Sequence, residues 1–569
     1  MLTNKWTNTL SRSFQNIRAD MIDALQSFKD KDGRQLITDV SEGNIFIILI
    51  SLFAAIAEVL HYYIDNMARE TFLTTARRYS SVVRHSLLVD YHPRLANAAT
   101  VDVILTRELE GANSGAKIKI PNGTVFKDTL GNNWQTDKDI QWDNNNASIK
   151  IPLVQHELYT TSSLNGSLYK TGPIGLDTNL GDNNKIEHDG VQLQLGTDNW
   201  IQVETFAYSS PTDKHFMVTS DEADNPILVF GDGKFGKIPD PNQKITLSFY
   251  ITKGSAGNIT KNSIVNVPSV ISSLVPSATC NNPYSSGDGF DYEDIEMLRS
   301  HAAMQTRTMN MLVTRNDVLD VVRLVPGVKE AVLEEIQGKA LKVYVSPIEG
   351  NTPASKLLLD KVSDTLASKN MLANTIKVYS AGVSKIHLVV DITGKPSYKD
   401  SQIYQQTLQA LLDKYSGNNV HLGGSVRISD IYALIDNLPS VDYLHITKFY
   451  VSPWPKIING DTQLDLKIND IEEVKSPTEY IITIGQHNTF NIRSSEGGFS
   501  TDKEISNNIF IDDTINGVKF SMAIVGSYNP GSRYQIIMPM INSDYNEEGF
   551  NQIIFDDPTL LKTSIHETV

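Results

Sequence analysis

Cysteine is nearly absent from this chain. Cys280 stands alone among 569 residues, which excludes an intramolecular disulfide framework and any multi-cysteine metal site. Such usage fits folding in a reducing cytoplasm. Basic charge is in deficit as well: 50 Lys and Arg against 66 Asp and Glu give a net charge of −16. A general nucleic-acid binder needs a basic face, so no nucleic-acid partner is expected. The N-terminus lacks a short apolar core before a small-residue cleavage site, so no signal peptide is expected. GxxxxGK followed by Ser or Thr, HExxH and GxSxG are all missing.

The polar residues that are present do not gather into chemistry. The twelve histidines are scattered, with His85 and His92 the closest pair in the N-terminal region. The Asp177–Asn184 cluster lacks the ligand order and closing Glu of a calcium loop. Asp512-Asp513 and Asp556-Asp557 read as solvated turns. No constellation supplies nucleophile, base and orienter together. We therefore expect no catalytic residue, no metal, no cofactor and no enzyme activity.

One feature stands out. From Ile45 to Ala57 the chain is apolar at every position except Ser51, and Glu58 closes the run. A helix apolar on every side must be covered by a large core, another subunit or a membrane. A lipid span needs roughly 20 apolar residues, and a run of about 10–14 is more often a buried helix. No basic cluster flanks this one, so no membrane span is expected. Thr38, Asp39 or Ser41 could cap the helix. Before it, Leu10, Phe14, Ile17, Met21, Leu25 and Phe28 recur at spacings of four and three. That narrow stripe seats against another helix. The chain's own Ile45–Tyr63 helix and a helix of another chain are both open as its partner.

The period changes along the chain. After about residue 98 it shortens to two, with Asn-Gly and Gly-Asn turns between short strands. This predicts an antiparallel β domain over 99–280, with a loop insertion near 160–190. Helix-then-strand patterns follow, predicting two small α/β modules at 281–375 and 376–460. The stretch 313–333 aligns without gaps with 426–446, an offset of 113 residues. Asp317 meets Asp430, Pro326 meets Pro439 and Val328 meets Val441. Chance likeness of two helix–turn–strand units is the alternative, and the in-register Asp and Pro favour duplication. Residues 461–569 read as a linker and a C-terminal all-β appendage with a loose end. The expected fold class is multidomain α+β, opening on a helical bundle segment at 1–98.

Gly231, Gly233 and Gly236 match a dinucleotide-loop spacing. That fingerprint needs a helix to start there, but Pro239, Pro241 and a strand pattern follow. We read a tight connection using glycine's access to positive φ.

The order of these pieces resembles the Baseplate J family of contractile-tail phages. The likeness rests on Tyr62-Tyr63, Glu70–Ala76 (ETFLTTA) and Tyr91–Ala98, on IPNGTVF from Ile120, and on FGDGKFGKIP from Phe230 with its later GSAGN. It rests also on the Asp317–Val328 helix with its VPGV. Asp90 stands where the family usually has Gly. The resemblance covers about residues 43–446 and not the tail after Lys475. It implies a structural wedge subunit of the virion baseplate, assembled in the host cytoplasm. Such a subunit oligomerises with itself, as a dimer or ring, around the tail hub. Its partners would be other wedge proteins, hub proteins and a sheath initiator, and it would relay conformational change to the tail and sheath. Under that reading the bundle contacts are the stripe above together with Ile45, Phe46, Leu49, Leu52, Phe53, Ile56 and Tyr63. The β-rich middle and tail raise a rival, a tail-associated adhesin or carbohydrate-binding protein. A β-rich hydrolase of the cell envelope is a third, though no paired carboxylates can be named for it.

Overall fold

Each change of period in the sequence becomes a change of architecture in the computed structural model. It describes residues 13–567 apart from 30, 36, 90, 108–116, 144–147, 165–173, 176–183, 188–189, 204, 221–225, 241–244, 310, 337–339, 371–374, 418, 460–463, 472–477, 486–488, 496–502, 505–508, 514–517, 525–530, 547–550 and 556–557. Leu10, nearly all of the Asp177–Asn184 cluster and the Asp556-Asp557 pair lie outside the described residues. The protein is a multidomain α+β chain, helical at first and then built of antiparallel and mixed sheets.

Helix α1 spans Phe14–Ser27, and Ser13 caps it by accepting the Asn16 N–H at 3.4 Å. Helix α2 spans Ile45–Glu70. Its cap is Asn44, whose Oδ1 accepts the Phe46 N–H at 2.9 Å. Thr38, Asp39 and Ser41 are not the cap; Asp39 instead accepts from the Ser41 N–H and the Asn44 amide. The helix does not stop at Glu58 but continues for 26 residues, about 39 Å at 1.5 Å per residue. Length therefore no longer argues against a membrane span, because α2 is apolar and long enough to cross one. Helix α3, Tyr79–Leu87, follows.

The β region holds two main sheets. Strand Thr100–Thr106 pairs antiparallel with both Ser148–Val154 and Thr279–Asn281. Trp134, Trp142 and Phe126 fill the core beneath, and the short helix α4, Ser269–Ser272, adds Ile271. The other sheet is mainly antiparallel around Ile245–Thr252, with one parallel pair between Asp198–Gln202 and His215–Ser220.

Helices α5 (Ile295–Thr308) and α6 (Arg315–Arg323) lead into the first α/β sheet. There the edge strand Val328–Ile336 runs antiparallel to the central strand Ala340–Pro347. Helix α7, Lys356–Lys369, then crosses to Thr375–Ser380, which lies parallel on the other side. In the second sheet the central strand is Gly382–Gly394, followed by α8 (Asp400–Tyr415) and α9 (Ile428–Asp436). The antiparallel edge strand is Val441–Ser452. The repeat is visible in the elements: Arg315 and Ile428, Arg323 and Asp436, and Val328 and Val441 each stand 113 residues apart.

The parallel edge of the second sheet comes from the chain's end. Asn551–Ile554 and Leu561–Glu567 both pair with Gly382–Gly394. The terminus expected to be loose is thus a structural strand, since it satisfies the open edge of a buried central strand. The rest of the C-terminal region is an excursion between Ser452 and Asn551. Within it the linker-like stretch forms strands Lys456–Asn459 and Leu464–Ile471, paired with Arg533–Met538 and Val518–Ile524. Asp512-Asp513, read as a turn, ends strand Ile509–Asp513, whose backbone ladder with Val518–Ile524 carries it.

Phe555 is fully buried in the core of the second module with Ile386, Leu388 and Ile403. Phe555→Ala should cost about 3–5 kcal/mol. In hydrogen exchange the amides of 382–394 should lose protection while those of 340–347 keep theirs.

Candidate assembly interface

Every strongly polar side chain in the middle of α2 falls on one stripe. Ser51, Glu58 and Asp65 are seven residues apart, with Ala54 and His61 between them and Ile47 one turn before Ser51. Such spacing places all six along one side of the helix. Ile47, Ala54 and Asp65 are the buried residues of α2. Helix α1 lies on this side. Arg18 Nε donates to Ser51 Oγ at 3.0 Å, and the Phe14 N–H donates to Glu58 Oε1 at 3.0 Å. The second bond sets a carboxylate against the N-terminus of α1, where unpaired N–H groups favour negative charge. Asp65 pairs with Arg69 at 2.6 Å. Of the α1 stripe, Ile17 is buried, Phe14, Met21 and Leu25 are half-buried, and Phe28 is exposed.

The hairpin is therefore inside out. Its polar stripe faces α1, with Asp65 buried, Ser51 and His61 half-buried and Glu58 at the exposed rim, and its apolar faces look outward. Ile45, Phe46, Leu49, Leu52, Phe53, Ile56 and Tyr63 are 45–67 % exposed. The bare surface is wider than the sequence indicated, because Ile48, Val59, Leu60, Tyr62, Ile64 and Met67 are exposed too. The seven-residue recurrence of Ser51, Glu58 and Asp65 was the signal for it. A monomer's largest apolar patch is typically a few hundred Å², and larger ones mark interaction sites.

A buried polar joint ties the hairpin to the body. Glu70 accepts the Arg77 and Arg78 N–H groups at 3.0 and 3.3 Å. Arg299 donates to the Leu73 and Ala76 carbonyls at 2.8 Å each. Tyr91 Oη donates to Glu293 at 2.6 Å, and His301 Nδ1 lies 2.7 Å from the same oxygen. Burial pushes the Glu293 carboxyl up, but the bonds from His301 and Tyr91 and the charge of Arg94 outweigh it. Its pKa lies below the ordinary value. Burial raises the Tyr91 hydroxyl well above its usual range.

The glycine turn is built by hydrogen bonds, and no helix starts there. Asp232 Oδ1 accepts the Lys234 and Phe235 N–H groups at 2.8 and 2.7 Å. Gly233 and Gly236 take φ of 86° and 83°, and a Cβ at Gly231 would overlap the Phe235 and Gly236 backbone. Among the described residues no group of three or more His, Cys, Asp or Glu is placed to hold a metal. Cys280 is buried, which pushes its thiol up to about 12.

Residues 13–88 match the family described as bacteriophage baseplate protein, N-terminal domain. The matched segment is the α1–α3 unit, and the match supports a structural role in a phage baseplate within the virion tail. A solved structure titled "Cryo-EM structure of the anti-feeding prophage (AFP) baseplate, 6-fold symmetrised" is similar at a TM-score of 0.31 and 12% identity. The similarity covers 78% of this chain and 94% of that chain. A likeness so loose carries no argument. No curated protein matches the chain.

Asp288 joins the β region to the first module. It accepts the Thr100 N–H at 2.7 Å, is hydrogen-bonded by the Thr100 hydroxyl, and lies 3.5 Å from Ser355 Oγ. Burial raises its pKa from 3.8 to about 6. The folded state thus holds this proton more tightly than the unfolded chain, and the stabilisation is full below about pH 4 and lost as pH rises through 6. Asp288→Asn should remove this dependence, worth about 2–3 kcal/mol over that window. Urea unfolding of both proteins from pH 4 to 7.5 reads the difference.

Proposed function

We propose that the chain is a non-enzymatic wedge subunit of a contractile phage tail baseplate. In this reading it is assembled in the host cytoplasm and resides in the virion. The outward faces of α2 form a helical bundle with a second copy or with partner wedge proteins. Further contacts reach the hub and the sheath initiator, and the subunit links neighbouring wedges into a ring that relays conformational change to the sheath. The observation that carries this reading is the inside-out hairpin, which falls within the segment similar to baseplate N-terminal domains. Burying each exposed Leu, Ile or Phe would contribute about 1.5–3 kcal/mol. The related units around α6 and α9 offer two similar surfaces, one for each neighbour, and heterologous contacts of that kind close into rings when the rotation allows.

A membrane-inserted α2 is the rival, favoured by its length and apolarity. Ser51 and Glu58, bonded to α1 within the same stretch, speak for a protein partner instead.

Leu52→Asp combined with Ile56→Asp should convert a self-associating chain into a monomer in sedimentation experiments, with helicity retained. The double variant should also be missing from purified particles. A monomeric wild type would defeat the bundle reading. Flotation of wild type, but not the variant, with phosphatidylcholine vesicles would replace it with the membrane one. Asp436→Lys on α9 alone should open assembled rings in electron micrographs, and intact rings would remove the two-surface idea.

A further inference from the structure

A cleft of about 400 Å³ opens where three parts of the chain meet. Its walls are the end of strand Thr375–Ser380, the Pro453-Trp454-Pro455 segment and the 535–546 stretch of the C-terminal region. The size is that of a small-ligand pocket. From this lining we infer that the cleft binds a neutral saccharide.

Trp454 is the platform. Prolines on both sides restrict its backbone, and its N–H donates to Ser384 Oγ at 3.2 Å. Gly382 lies against the indole so closely that any Cβ there would overlap it. The Tyr284 ring sits 6.1 Å away and tilted. The indole is thus fixed before any ligand arrives, which lowers the entropy cost of binding. Tyr379, also in the lining, is held between Lys342 and Tyr344.

The polar lining is matched to hydroxyl groups. Gln535, Asn546 and Asn551 bring amides, which both donate and accept. Gln535 Nε2 donates to Glu479 at 2.7 Å and Asn551 Oδ1 accepts the Gly382 N–H at 2.9 Å, so Asn546 and the Gln535 carbonyl carry the recognition. The ionisable lining residues other than tyrosine are Lys456 and Asp544, of opposite sign. Lys456 pairs with Glu334 at 3.4 Å, and one Asp544 oxygen accepts the Ile428 N–H at 3.0 Å. A lining of zero net charge selects neither an anion nor a cation. Flat C–H faces for the indole and hydroxyls for the amides are the chemistry of a sugar. A proline-rich segment would also use Trp and Pro, but each proline in it brings a carbonyl acceptor and no N–H, which leaves the carbonyls of Gln535 and Asn546 without a donor at those positions. This site is independent of the baseplate reading.

The test uses the full chain with maltotriose, cellotriose and chitotriose, read by saturation-transfer NMR and calorimetry. At least one trisaccharide should bind, and Trp454→Ala and Asn546→Ala should each weaken it about tenfold or more, the equivalent of 1.4 kcal/mol. Asn546 is an exposed side chain, so Asn546→Ala decides the case if Trp454→Ala lowers the melting temperature. Binding of none of the three, affinity unchanged in Asn546→Ala, or capture of a decaproline peptide in their place would overturn the inference.

Discussion

The contact between Glu58 and the N-terminus of α1 sets the character of the whole N-terminal region. It requires that α1 lie on the polar stripe of α2. With α1 seated on that side, the remaining faces find no intramolecular cover among the described residues. Isoleucines, leucines and phenylalanines stand in water along nearly the full length of the helix. A soluble monomer would place the same residues inward. The helix is left with a broad apolar surface of the kind that marks an interaction site.

The body behind the hairpin is built to hold its place. Arg299, Glu293, His301 and Tyr91 fasten the α2–α3 corner to α5 through buried hydrogen bonds. Asp288 then fastens strand Thr100–Thr106 to the N-terminus of α7 through Thr100 and Ser355. Such bonds are short-ranged and directional, so they fix the orientation of each unit they join.

Much of this could be read from the residues. The helix apolar on all sides, the change to a period of two near residue 98, and the repeat at 113 residues all leave local traces. Which way the apolar faces of α2 point is written only in the seven-residue recurrence of Ser51, Glu58 and Asp65, which becomes legible once α1 is seen to lie on it. Ser51 looked like an interruption of an apolar run and Glu58 like its end, when both mark the seam. The return of the chain end was illegible for a different reason. Leu561–Glu567 pairs with a strand more than 160 residues earlier, and a seven-residue strand does not encode its partner. The aromatic cleft was hidden likewise, since Trp454, Tyr379 and Asn546 come together only through packing of separate units.

The closing of the second sheet by the last strand has a consequence in time. During synthesis the strand Gly382–Gly394 emerges long before Leu561–Glu567. Its parallel edge stays open until Leu561–Glu567 has been made. Only a polypeptide translated past Glu567 can present a finished second module. Folding of the second module is thereby delayed past synthesis of the whole excursion between Ser452 and Asn551, and its central strand must wait through that interval with one edge unpaired.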